Sequence, residues 1–280
     1  MKTKIPEELA GNVPQTKWGK ILLATPVVMT VIATLLAGLA SSEMTRAQYD
    51  RALGAQLQSK AGDQWGYFQP KKLRGAMQRN SFEILTATTD IRPIENPALE
   101  KVPAPAALSV DSKVEAALQA IEKEKPETEI AGLSKSVDDK SLAAALQPAK
   151  DNALVFDTAL APANQDLDQL EKSLPAGDKA ATRDLIAARM RYNVARYDTE
   201  ARLNQSIANL YELQVRKINV SAERHHKRSG KFFFGMLAAQ AAVIVSTFAI
   251  AAQKRSFLWM LAAATGLAAV IFAIYVYLRV

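Results

Sequence analysis

Three uncharged stretches and one strictly periodic stretch set the pattern of this chain. Residues 231–252 give about 22 positions with no charge after the first, and 256–278 about 23 with none. A third run, 19–40, is uncharged for 20 positions after Lys20. A hydrocarbon core of ~30 Å takes ~20 apolar residues at ~1.5 Å each, so all three are long enough to cross a bilayer. The link Gln253-Lys254-Arg255-Ser256 is too short for anything but a tight turn, so the last two spans form an antiparallel hairpin.

The periodic stretch is 178–230. Ala187, Met190, Val194, Tyr197, Ala201, Asn204, Ala208, Tyr211, Val215, Ile218 and Ala222 alternate by three and four residues, the spacing of a coiled-coil seam with a polar Asn204 to set register. Leu203, Ile207 and Leu210 form a second stripe and call for more than one partner helix. Residues 41–90 supply one, since both segments leave the membrane on the same side. The expected packing sets Met190, Val194, Tyr197, Tyr211, Val215 and Ile218 against Leu53, Leu57, Trp65 and Phe68. Further along 41–90 the apolar positions are Leu73, Met77, Ile84 and Leu85. Pro70 interrupts them, and a proline in a helix interior removes a hydrogen bond at a cost of about 3 kcal/mol, so a kink or break is expected near 66–70.

The remaining segments are less regular. Residues 1–18 read as a polar tail, with Trp18, Lys17 and Lys20 where interfacial anchors stand. The first span is either retained or removed as a signal peptide after Ala37-Gly38-Leu39-Ala40. Its length exceeds the usual apolar region of such a peptide, which favours retention. Residues 91–177 are punctuated by eight prolines and read as an insertion, partly disordered, with short helices at 111–125, 141–146 and 164–174.

Composition changes the picture only locally. The net charge is +7 and there is no cysteine, which excludes disulfides, thiolate catalysis and cysteine-based metal sites. Basic residues cluster at the ends of spans. Arg224, Lys227, Arg228, Lys231, Lys254 and Arg255 are the candidate contacts to lipid head groups. Weighting the short turn and the tail places residues 1–18 in the cytoplasm and the helical domain in the periplasm of a bacterial inner membrane.

Candidate chemistry is sparse. No phosphate-binding glycine loop and no Gly-x-Ser-x-Gly occurs, and the two histidines are adjacent, His225 and His226. Glu223 and His226 have the Glu-x-x-His spacing of a metal ligand pair, but one pair amid Arg224, Lys227 and Arg228 is not a metal site. No ionisable group lies inside a span, which argues against a proton or ion path. Asp63, Trp65, Tyr67 and Gln69 form either a recognition surface or core packing. Small residues recur at Gly235, Ala239, Ala242 and Ser246, and at Ala262, Gly266 and Val270, spacing that allows close packing between spans or between copies. Nothing suits nucleic acid, a cofactor or a catalytic constellation.

Asp63-Gln64-Trp65-Gly66-Tyr67-Phe68-Gln69-Pro70-Lys71, some 20 residues past a first span, resembles the bacterial family known as domain of unknown function 4337. Lys254-Arg255-Ser256-Phe257-Leu258-Trp259, a basic turn into a Leu-Trp-containing last span, is similar to that family as well. The resemblance covers about 19–89 and 178–278, and implies a membrane-anchored helical protein without an assigned activity. The expectation is therefore an all-α membrane protein: three transmembrane helices and a long antiparallel helical hairpin outside the bilayer. It would act as a non-enzymatic, oligomeric scaffold or accessory subunit, or else as an adaptor for another membrane protein in a transport or export complex.

Overall fold

A computed structural model describes residues 17–94, 102–107, 110–251 and 257–279. Among the described residues there are seven helices and no strand. They are α1 (Lys17–Thr88), α2 (Ser112–Glu122), α3 (Glu127–Ser136), α4 (Asp139–Ala159), α5 (Ala161–Ser173), α6 (Lys179–Ala251) and α7 (Phe257–Arg279). The fold is all-α. Helices α1, α6 and α7 each contain a stretch long and apolar enough to cross a membrane. The chain divides into two compact units, one made of residues 1–51 with 221–280 and the other of 52–220.

In the first unit the apolar stretches of α1, α6 and α7 bury mostly small residues, together with Leu36, Phe232, Trp259 and Val276, and turn most of their large ones outward. Ala33, Leu36, Ala40, Ala239, Ala242, Ser246, Ala262 and Ala269 are buried. Val27, Leu35, Phe234, Phe248, Met260 and Ile271 are exposed. A side chain at Gly235 would lie 3.4 Å from Leu36 Cδ1 and 3.7 Å from Phe272 Cδ1, so this glycine is where all three helices converge. In hydrocarbon large apolar side chains gain little by turning inward, and small ones let backbones approach. The small-residue faces of α6 and α7 are thus taken up between spans of one chain.

The second unit is built on an antiparallel pairing of α1 with α6. Gly54 lies against Ile218 and Asn219, and Gly75 against Tyr197 and Asp198. Between them Leu57, Ala61 and Tyr211 share one cluster. Pro70 does not break the pairing: α1 runs through it, with Trp65 and Phe68 in edge-to-face contact at 5.2 Å on one side and Lys71 bonded to Glu200 on the other. An unbroken helix keeps its phase. Five residues beyond Phe68 the helix has turned by ~500°, or ~140° away from the inward face. Lys71, Gly75, Gln78 and Phe82 therefore face inward, and Leu73, Met77 and Ile84, expected to continue the stripe, are 62%, 60% and 65% exposed.

Residues 112–173 are more ordered than the sequence suggests. The helix over 111–125 is found as α2, capped by Asp111, whose side chain accepts from the Lys113 backbone N–H. The one over 164–174 is found as α5, with Pro162 in its first turn, where a missing N–H goes unnoticed. Helix α4 runs well past 141–146 and through Pro148, because Leu142, Ala145, Ala149 and Phe156 keep one face buried over four turns. Helix α3, which burial of Ile130 and Ser134 holds in place, has no counterpart among the expected helices. Isolated helices of this length are marginal in water. Here they dock on the second stripe of α6: Ile207, Leu210 and Leu213 with Val114, Ala117 and Leu142, and Leu203 with Phe156, Leu160 and Leu167.

An exposed proline inside an unbroken helix leaves one backbone carbonyl without its hydrogen bond, which alanine would restore. Pro70→Ala should raise stability by about 1–3 kcal/mol, read as a higher midpoint of thermal unfolding in detergent. A lower midpoint would mean that Pro70 sits in a bend the fold requires.

Candidate functional site

The residues expected on the seam all reach the interior of the 52–220 unit to some degree. Tyr211 and Val215 are buried, while Leu53, Leu57, Trp65, Phe68, Met190, Val194, Tyr197 and Ile218 are half-buried. Tyr197 and Ile218 face glycines, Gly75 and Gly54, rather than the large residues expected opposite them. Of the segment 63–69, Trp65 and Phe68 turn inward, and Asp63, Tyr67 and Gln69 are exposed.

Apolar contact is not all that joins these helices. Trp65 Nε1 donates to Glu212 Oε1 at 2.7 Å, an amphipathic side chain burying its ring and satisfying its N–H at once. Glu200 is buried and accepts from Lys71 Nζ at 2.8 Å and from Arg196 Nε at 2.7 Å. Arg79 Nη2 meets Asp198 Oδ2 at 2.5 Å. Burial by itself would raise the Glu200 carboxyl, but the hydrogen bonds and charges of Lys71 and Arg196 outweigh it and hold the group below the ordinary glutamate value. Beside this trio the Tyr192 hydroxyl is buried with no hydrogen-bond partner among the described residues, and desolvation raises its pKa. The docked helices add Arg216 on Glu127 and Lys217 on Asp139 at 2.6 Å, with Lys217 also donating to the Val137 carbonyl at 2.7 Å.

Only part of this was open to sequence reasoning. Arg196 and Glu200 stand four apart on one helix face, a visible pair. That Lys71 would be turned inward to join them follows from the phase of α1 through Pro70, which the sequence alone gave no reason to trust.

The 1–51 with 221–280 unit holds a second polar cluster. Glu43 is 8% exposed, and its Oε2 lies 2.5 Å from His225 Nδ1 while Oε1 lies 3.6 Å from Arg228 Nη1. Ser229 Oγ donates to the Ala40 carbonyl at 2.7 Å, closing the contact one turn away. A buried carboxylate must be neutralised or hydrogen-bonded, and this explains why Arg228, expected at head groups, is turned inward instead. The engaged histidine is His225. His226 and Glu223, the pair with metal-ligand spacing, are both exposed, and Glu223 is bound to Lys227 at 3.3 Å.

Of the other head-group candidates, Arg224 is exposed and Lys231 Nζ stands 5.7 Å from the Tyr275 ring centre, a cation over an aromatic face. Lys254 and Arg255 lie outside the described residues. Among the described residues no group of three or more His, Cys, Asp or Glu side chains is placed to hold a metal ion.

The Glu200 trio makes stability depend on pH with a definite sign. Its folded pKa is depressed, so its contribution is present above the unfolded value of about 4.5 and is lost as pH falls through the lower folded value. Glu200→Gln should cost about 3 kcal/mol near neutrality and flatten the loss of stability below pH ~4.5. Chemical unfolding of both proteins across pH 3–7 would measure it. An unchanged acid limb in the variant would assign that limb to other carboxylates.

No curated protein and no solved structure matches the chain. A family match covers residues 21–161, so it takes in α1 from near its start, runs on through much of 91–177 and ends before α6. Its extent differs from 19–89 with 178–278, the stretches that the motif around Trp65 and the basic turn suggest, but the family is the same. Those residues are half of the chain, and the chain belongs to the family described as domain of unknown function (DUF4337).

Proposed function

We propose that this protein is a non-enzymatic scaffold of the bacterial inner membrane. It is anchored by the three apolar stretches of α1, α6 and α7 and works through protein contacts made by its 52–220 unit. Residues 1–18 and the turn at 254–255 lie in the cytoplasm and the helical unit in the periplasm. The reading of charge supports this placement: short basic segments hold their side of a membrane better than long domains do.

The observation that carries the binding role is the apolar stripe on the outer face of α1. Leu73, Met77 and Ile84 fall on one face of an unbroken helix and are largely exposed. Scattered apolar residues on a surface need no explanation, whereas an aligned row three turns long is the kind of helix face that a partner covers. The small-residue faces of the spans are already occupied within the chain, which leaves this stripe as the favoured surface for association between copies. An adaptor would use the same stripe on a different membrane protein.

The mass of the complex, extracted gently from its native membrane and measured by light scattering with mass spectrometry, separates these readings. A homogeneous multiple of 30.5 kDa is expected, and replacing Leu73, Met77 and Ile84 together by serine should reduce it to the single chain without unfolding. A stoichiometric foreign membrane protein would favour the adaptor. A single chain from the unaltered protein would contradict both.

A further inference from the structure

Beyond self-association, the 52–220 unit carries a groove whose chemistry selects a ligand. It lies between α6 and the non-helical segment 102–107, has a volume of about 780 Å³, and is floored by Val194, Ala195 and Leu203. That size is within the ~300–1,000 Å³ range of ligand sites. The segment is tied down at one end by Asn152, whose Nδ2 donates to the Ala106 carbonyl at 2.9 Å. Pro103 and Pro105 keep it extended and remove two N–H groups, so its backbone offers more acceptors than donors.

The donors come from α6. Among the described residues, the arginines of α6 within this unit at 183, 189, 196 and 216 each have a carboxylate partner. Arg191 and Arg202 have none, and both line this groove. Arg202 spends only its Nε, on the Asp198 carbonyl, and Asp198, the acid of the groove wall, is already neutralised by Arg79. Two guanidinium groups with no counter-charge among the described residues therefore stand along an apolar floor. Eleven residues on a helix return to nearly the same face after ~16 Å.

We propose that this groove binds an acidic peptide segment in extended conformation. At ~3.3 Å per residue, carboxylates four positions apart stand ~13 Å from each other on one face of an extended chain, a span that flexible arginine side chains can close. An apolar residue midway meets Val194 and Leu203. Peptide N–H groups find the carbonyls of 102–105. Guanidinium suits the carboxylates because its planar fork binds both oxygens. The inference stands on this groove and does not depend on association through Leu73, Met77 and Ile84.

The test uses the full-length protein in nanodiscs of phosphatidylcholine and a fluorescein-labelled peptide with two glutamates four positions apart and valine midway, followed by anisotropy. Saturable binding that weakens with added salt is expected. Arg191→Gln and Arg202→Gln should each weaken it about tenfold, and a peptide with glutamine for glutamate should not bind. Arg189→Gln, which removes a guanidinium already paired with Glu171, should leave it unchanged. The two variants act at different points along the floor, and circular dichroism checks each for retained helix. No binding, equal binding by both folded arginine variants, or binding of a straight-chain dicarboxylate of the same length in preference to the peptide would overturn the proposal.

Discussion

Close approach of helices at residues with little or no side chain is the constraint on which the rest of this structure depends. In the 52–220 unit Gly54 and Gly75 bring α1 against α6, and Ala61, Ala201 and Ala208 are buried. In the 1–51 with 221–280 unit, Gly235, Ala239, Ala33 and Ala269 do the same among the apolar stretches. Alanine and glycine bury little apolar area, so such contacts stabilise by dispersion and good fit more than by removing surface from water. A larger side chain at these positions would meet a neighbouring helix. At Gly266 the first carbon added would stand 2.6 Å from Met29 Sδ.

Helices held this closely, with modest apolar area, need something else to fix their sliding register. Polar ties supply it. Trp65 with Glu212, Lys71 with Glu200, and Arg79 with Asp198 join α1 to α6 at successive levels. Glu43 with His225 and Arg228 is the counterpart in the other unit. Buried pairs of this kind add little net stability, since desolvation cancels much of the Coulomb attraction, but an unpaired member is heavily penalised. A one-turn slip of α6 along α1 would strand Glu200 without Lys71, so the penalty falls on wrong registers.

How much of this the sequence discloses varies with the range of the interaction. The apolar stretches are legible because composition over twenty positions suffices, and the α6 seam because its spacing repeats over many turns. The motif around Trp65 was enough to indicate the family. The phase of α1 beyond Pro70 was not legible: proline propensity argues locally for a break, and the contacts that carry the helix through come from residues well over a hundred positions away. The helices of 112–173 are only partly legible for a related reason: marginal alone, they are stabilised by docking on Leu203, Ile207 and Leu210. Glu43 and His225 stand 182 residues apart, and no periodicity links them.

The most direct test of the unbroken α1 and its register on α6 is a disulfide across them, in a chain with no cysteine of its own. A Cβ at Gly75 would stand 3.4 Å from Tyr197 Cβ, close to the ~3.5–4.5 Å of a disulfide. Gly75→Cys combined with Tyr197→Cys should oxidise readily in native membranes and change the gel mobility of the single chain. Leu73→Cys combined with Tyr197→Cys should not. Preferential cross-linking of the 73–197 pair, or a band at twice the chain mass from the 75–197 pair, would contradict the account: the first would show that Pro70 resets the helix, the second that α6 packs on another copy.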